Sequence, residues 1–219
     1  MSIVPNRLRA SALLALTAAL WGSPVSAQAF FEISRHVIDI DREFDDSILL
    51  QSPSFTFNVP ALEEVNATGF AFGRAAEGGG GTFTFRYLRG DPLATSVLGD
   101  TVASYRSYDI DGYVAPWLKQ GGATISPLMR LGLGYTRLTI PGAGTDGTDL
   151  DDALFAGLGF NLGAGAILRV ADVIQVTADY TRRYLNFGSV KGFDESIEIE
   201  DGLSATTDVF AIGLALVVP

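Results

Sequence analysis

The only histidine in the sequence, His36, lies two residues after Ser34 and four after Glu32. Along an extended strand, side chains at i and i+2 share a face roughly 6.5–7 Å apart. A carboxylate, a hydroxyl and an imidazole would then approach one another, and these are the ingredients of an acyl hydrolase. No oxyanion-hole motif accompanies them, and polar filling of a protein interior or a loop is the stronger reading. A second candidate is Asp146-Gly147-Thr148-Asp149-Leu150-Asp151-Asp152, which gathers four carboxylates. Oxygen-rich loops suit calcium, but the glutamate that closes an EF-hand loop is missing, so the segment reads as solvated surface. Gly78 to Gly81 has no lysine and no phosphate-loop spacing, which makes it a flexible turn. No catalytic residue, metal site or cofactor is assigned, and the chain is read as a non-enzyme.

Composition narrows the setting. Of 219 residues, 47% are apolar and 18% charged; the net charge is −10, glycine occurs 25 times and cysteine is absent. The apolar content argues against disorder. Without cysteine there is no disulfide framework or thiolate zinc site, and an acidic chain repels nucleic-acid phosphate. Arg7 and Arg9 precede an uncharged run from Ala10 to Leu20, followed by Trp21-Gly22-Ser23-Pro24 and the small residues of Val25-Ser26-Ala27. That order predicts a secretory signal peptide over residues 1–27 and an exported domain over 28–219. The run is shorter than the roughly 20 residues a spanning helix needs, and no later window is apolar enough to span.

The elements that must position these groups alternate with period two. Phe210, Ile212, Leu214, Leu216 and Val218 share one face; so do Ile125, Pro127, Met129, Leu131, Leu133 and Tyr135, and so do Ile174, Val176, Ala178 and Tyr180. Each is a strand signal. Eight strands are predicted, over 31–40, 69–76, 81–89, 103–116, 123–139, 152–163, 171–187 and 206–218. The first is the least regular: Phe31, Ile33 and Val37 oppose Glu32, Ser34 and His36, but the phase slips near Ile38. Phe55, Phe57 and Val59 alternate in a rival piece over 54–59. Connections 41–68, 90–102, 140–151 and 188–205 are long and rich in Asp, Gly, Ser and Thr, whereas 77–80, 117–122 and 164–170 are short. Sorting of loops by length, with both termini at the short-turn end, matches an up-and-down transmembrane β-barrel with short periplasmic turns and long extracellular loops.

The second face of these strands is small or charged. Small residues suit the interior of an eight-stranded barrel, which has room only for side chains. Glu32, Arg86, Asp109, Asp111, Arg130, Asp179 and Arg183 nearly balance in sign, and desolvated charge requires pairing, so they are predicted to form an ion-pair network in the lumen. Tyr87, Trp117, Tyr135, Tyr180, Tyr184 and Phe187 fall near strand ends and are predicted to be interfacial aromatics.

The last third of the chain resembles the eight-stranded outer-membrane β-barrel superfamily, including the outer-membrane protein A transmembrane domain and opacity-type surface proteins. Leu154-Phe155-Ala156-Gly157-Leu158-Gly159-Phe160-Asn161-Leu162-Gly163 looks like that family's glycine-alternating strand. Ala178-Asp179-Tyr180 with Arg183-Tyr184-Leu185-Asn186-Phe187-Gly188 is similar to its penultimate strand, and Thr206-Thr207-Asp208-Val209-Phe210 leading into Gly213-Leu214 to its closing strand. The family's last strand usually ends in an aromatic residue, where this sequence has Val217-Val218-Pro219. The resemblance implies a porin-like cell-envelope protein in the outer membrane that displays acidic loops. Its expected partners are outer-membrane lipid and lipopolysaccharide, the barrel-insertion machinery, and host or matrix molecules met through the loops. Two other functions fit a barrel: a conduit for small or hydrophobic solutes, and a soluble exported β-barrel that binds a ligand inside.

Overall fold

The computed structural model describes residues 27–42, 44, 48–51, 55–76, 82–96, 99–118 and 124–218. The predicted signal peptide therefore lies almost entirely outside the described residues, as does the Gly78–Gly81 turn. The described residues are all β and turn, in the order β1 (Ala27–Arg42), β2 (Ile48–Gln51), β3 (Thr56–Val59), β4 (Ala61–Leu62), β5 (Val65–Ala76), β6 (Thr82–Gly90), β7 (Leu93–Ser96), β8 (Gly99–Val102), β9 (Ser104–Val114), β10 (Thr124–Thr145), β11 (Leu150–Ala171), β12 (Ile174–Gly192) and β13 (Glu195–Val218). Eight of these close a ring, β1-β5-β6-β9-β10-β11-β12-β13, and β13 pairs back to β1. Every neighbouring pair in the ring is antiparallel. Closure leaves no sheet edge within the ring, the condition a β-structure must meet in hydrocarbon.

The outer face carries the apolar stripes. Ile125 is 67% exposed, Leu158 72% and Ile212 66%, and Phe31, Ile33, Phe70, Met129, Leu214 and Leu216 point outward with them. Soluble monomers rarely show so large a contiguous apolar surface. On β10 the stripe runs from Ile125 to Tyr135, about 33 Å of strand, or about 25 Å once the strand is tilted by roughly 40°. That is the height of an outer-membrane hydrocarbon band.

Beyond this band the apolar residues change faces while the alternation of buried and outward positions runs on. On β1, Phe31 and Ile33 point out, yet Ile38 and Ile40 are buried in the interior, and the register with β13 continues without a break from Ala29 to Arg42. The irregular phase near Ile38 is thus a change of apolar face, at the place where the strand leaves lipid for water. The same reversal appears on β10, where Tyr135 and Arg137 are outside and Leu138 and Ile140 inside.

Two sequence expectations are corrected here. Residues 140–151 and 188–205 are predominantly strand: β10 to β13 continue well past the band and close in tight turns around 146–149 and 193–194. Their Asp, Gly, Ser and Thr content reflects a wet outer face, while Ile140, Ala143, Ala153, Phe155, Val190, Leu203 and Ala205 are buried inside. Segment 164–170 is strand rather than turn, and the chain reverses at Asp172 and Val173. In the second tight turn, Phe193 (φ 50°) and Asp194 (φ 60°) are both left-handed, the geometry of a type I′ hairpin. A phenylalanine is strained there, and its ring stacks on Phe55 at 5.1 Å while its N–H donates to Asp151.

The predicted piece over 54–59 becomes β3, which pairs β2 and adds to the edge of β10 at Gly144 and Thr145. Phe44, Phe57 and Val59 from this connection are fully buried in the barrel mouth. Phe44 packs edge-on against Phe155 at 5.9 Å and Phe187 at 5.1 Å. A small sheet, β4-β7-β8, lies apart from the ring sheet, and Ala94 of β7 and partly buried Leu62 of β4 belong to the same loop-end cluster.

Candidate functional site

All seven charged residues named from the sequence face the lumen and are 8% exposed or less. They come together in one layer. Arg183 donates through Nε to Asn161 Oδ1 (3.1 Å), through Nη1 to the Tyr105 hydroxyl (2.8 Å) and through Nη2 to Ser107 Oγ (3.1 Å), and it ion-pairs with Asp109. Arg130 reaches Asp111 and Asp179, each at 3.3 Å, and lies over the Tyr113 ring at 5.9 Å. Arg86 reaches Glu32 at 3.5 Å and Asp111 at 3.8 Å. Four carboxylates thus face three guanidinium groups. Thr177 donates to Glu32 and Thr181 to Asp179, both at 3.2 Å, and Asn161 Nδ2 donates to Asp111. Buried carboxylates tolerate desolvation only when nearly every lone pair is satisfied in this way.

Glycine makes the room. Register sets Asp111 opposite Gly132 and Asp109 opposite Gly134, Arg130 opposite Gly163 and Asp179 opposite Gly165. A β-carbon on Gly132 would overlap the Asp111 carboxylate, and one on Gly134 would overlap Asp109. The glycine alternation of β10 and β11 therefore leaves space for long charged side chains on the adjacent strands. Tyr105, Ser107, Asn161, Thr177 and Thr181 complete the layer and were not singled out in the sequence. All but Asn161 share strand parity with a charged member, which was the available signal; β11 carries none of the seven charges.

Apolar side chains close the lumen on either side of this layer. Toward the short-turn end stand Phe30, Tyr113, Leu118, Leu128, Ile167, Ala215 and Val217. Toward the loops stands the larger cluster that includes Ile38, Ile40, Phe44, Phe57, Leu138, Phe155, Leu185 and Phe187. The void bounded by Phe30, Glu32, Arg86, Tyr113 and Arg130 measures about 10 Å³, no more than one water requires.

Ser34 Oγ and His36 Nε2 lie 2.8 Å apart and buried. Glu32 is turned away, engaged with Arg86 and Thr177, and His36 Nδ1 has no hydrogen-bond partner among the described residues. The pair therefore lacks the orienting acid a nucleophile–base system uses. In the acidic loop, Asp146 folds back on itself: its Oδ1 accepts the N–H groups of Asp149 and Thr148 and the Thr148 hydroxyl, each at 2.8 Å. Those bonds, Asp149 first, hold its carboxyl below the usual range. Asp152 accepts from Gly142 N–H, so these carboxylates are occupied as turn caps.

Of the predicted interfacial aromatics, Trp117, Tyr135, Tyr180 and Tyr184 are exposed on the outside and Tyr87 is partly exposed. Phe187 is a correction. It is 1% exposed and belongs to the loop-end core, because it shares the parity of Arg183 and Leu185 on a strand that has already left the band.

A closed antiparallel ring with an oily outer belt and its charges sequestered inside has one physical setting. The chain is an eight-stranded transmembrane β-barrel. No family model matches the sequence, and no curated protein matches it. Among solved structures it is similar to Neisserial surface protein A, at 12% identity and a TM-score of 0.49 over 86% of this chain and 96% of that one. It is also similar to the N-terminal β-barrel domain of Pseudomonas aeruginosa OprF, at 13% identity and a TM-score of 0.43 over 87% and 99% of the two chains. A third likeness is to the outer membrane protein OprG from Pseudomonas aeruginosa, at 13% identity and a TM-score of 0.45 over 88% and 97%. The barrel stands on its strand order and outer belt, independently of these likenesses.

Proposed function

We propose that this protein is a sealed outer-membrane anchor that holds a rigid acidic β-structure above the cell surface for contact with other molecules. Export through a cleaved signal peptide and insertion by the barrel-assembly machinery belong to the same reading. The observation that carries it is the stacked filling of the lumen by apolar plug, charge layer and apolar core. The void beside Arg86 and Arg130 is no larger than one water requires, a filling that opposes passage of ions and solutes. The protruding ends of β10 to β13 are paired strand, and they expose Asp146, Asp149, Asp152, Asp194, Glu195, Glu198, Glu200 and Asp201. A fixed scaffold presenting an irregular rim is a common arrangement for recognition, and this rim suits a basic host or matrix surface. The competing conduit reading is tested by planar-bilayer recording of the purified, heat-modifiable protein. Absence of steady conductance is the expected result, and stable unitary currents would reject the sealed anchor.

A further inference from the structure

Across β6, β9 and β10 the register stacks three chemically distinct rows on the outer face. Phe85, Ile110 and Leu133 are directly opposite one another, then Tyr87, Tyr108 and Tyr135, then Arg89, Arg106 and Arg137. The order, from mid-barrel toward the loops, is hydrocarbon, amphipathic ring and cation. Tyr87 and Tyr108 are 5.2 Å apart between ring centres, and all three arginines are exposed. The arginine row continues through Thr68 to Arg35, whose Nη1 donates to the Thr68 hydroxyl at 3.2 Å.

Like charges directly opposite on paired strands, with β-carbons about 5 Å apart, repel. Here three stand side by side, and none has an ion-pair partner among the described residues; the exposed acid nearest along these strands is Asp91, two residues beyond Arg89. The opposite arc of the barrel is treated differently. There the outward-facing Arg182 has its own counter-ion, Asp208, at 3.0 Å, and Asp208 also accepts from the Tyr180 hydroxyl at 2.6 Å. One arc is neutralised within the protein, and the other is left for something outside to neutralise.

We propose that Arg89, Arg106 and Arg137 form a binding stripe for the phosphorylated headgroup of a lipid in the loop-side leaflet, its acyl chains lying along Phe85, Ile110 and Leu133. Guanidinium forks suit phosphate oxygens. A single phosphomonoester carries about −1.5 to −2, so three cations within about 10 Å are matched by a headgroup bearing two phosphates. The inference rests on the membrane-spanning reading, because only a bilayer holds the headgroup at the level of the stripe.

The test uses the whole barrel in phosphatidylcholine nanodiscs doped with bisphosphorylated or monophosphorylated lipid A, with retained lipid counted by native mass spectrometry after detergent extraction. Insertion and heat-modifiable gel mobility are scored first. The wild-type barrel is expected to retain the bisphosphorylated lipid preferentially. R89Q/R106Q/R137Q should bind it on the order of 100-fold more weakly, and the matching triple lysine variant should recover part of the loss. R182Q/D208N, on the neutralised arc, should bind like wild type, and millimolar inorganic phosphate should not displace the lipid. Equal retention by the triple glutamine variant, or equal retention of both lipids, overturns the stripe while leaving the barrel intact. Full displacement by inorganic phosphate overturns the lipid as its source. Failure of the wild-type chain to insert overturns the membrane reading and the stripe together.

Discussion

Of the three fillings stacked inside the tube, the charge layer and the loop-end core contrast most. The middle of the lumen is held by Arg86, Arg130 and Arg183 against four carboxylates, and the loop end by aromatic and aliphatic packing around Phe44, Phe155 and Phe187. The strands are continuous through both regions, with unbroken register on β1 from Ala29 to Arg42. Only the solvent outside differs. Where lipid surrounds the wall, apolar residues gain nothing by turning inward, so beyond the short-turn plug around Phe30, Leu128 and Ile167 the lumen receives the polar side of each strand and must neutralise it. Where water surrounds the wall, the hydrophobic effect again favours an oily interior, and the same strands build an ordinary dry core.

Three substitutions, two control substitutions and one titration sharpen this contrast. The largest effect is expected for Arg183→Leu, which leaves Asp109 buried without its partner. Breaking a buried pair on one side costs about 3–5 kcal/mol, read as a lowered urea midpoint in Trp117 fluorescence. Adding Asp109→Asn should return much of that loss, and no recovery would mean that the layer is not coupled. Phe44→Ala should cost about 3 kcal/mol. Its signature is regional: amide protection should fall in the protruding parts of β11 and β12 and hold around Arg130. A uniform loss would contradict two separable regions. Gly134→Ala places a methyl against the Asp109 carboxylate, and overpacking of this kind costs about 1–3 kcal/mol. The same substitution at Gly188, which has open space around it, should be close to neutral.

The smallest effect concerns pH. Asp146 has a carboxyl held below its ordinary value of 3.8 by the N–H of Asp149 and the two donors of Thr148. A lowered folded-state value means that the stabilisation is present above 3.8 and is lost as pH falls from there through the lowered value. Protection of the Thr148 and Asp149 amides, taken relative to the intrinsic exchange rate at each pH, should therefore fall below pH 3.8 with little change between pH 5 and 7. Loss of that protection at neutral pH would show that the carboxylate does not organise the turn.

Much of the barrel was legible because strand parity holds throughout the lipid band and is shifted by bulges only in the protruding ends and beside the turn at Asp172. The odd residues of β10 from Ile125 to Tyr135 announced a lipid face, and the parity of Asp109, Asp111, Arg130 and Arg183 placed them in the lumen. What parity does not carry is the identity of the solvent. Ile38 looked like a slipped phase, Phe187 like an interfacial ring, and the polar outer residues of 140–151 and 188–205 like loops. All three misreadings come from the boundary at which water replaces lipid, where apolar residues change sides. The neutral partners of the charge layer were obscure for another reason. Asn161 and Tyr105 acquire their roles from Arg183, which is distant in sequence and is brought to them by barrel closure.

Because the chain contains no cysteine, single-cysteine spin labels read the solvent directly. Labels placed one at a time along β10, at Ile125, Met129, Leu131, Leu133, Arg137 and Thr139 in vesicles, would be probed with oxygen and with a water-soluble nickel complex. Oxygen-accessible, nickel-protected labels from Ile125 to Leu133, with a switch to nickel accessibility from Arg137 onward, are the predicted result. Nickel accessibility at Leu131 and Leu133 would contradict a lipid-facing wall, and with it the reversal of faces on which the account depends.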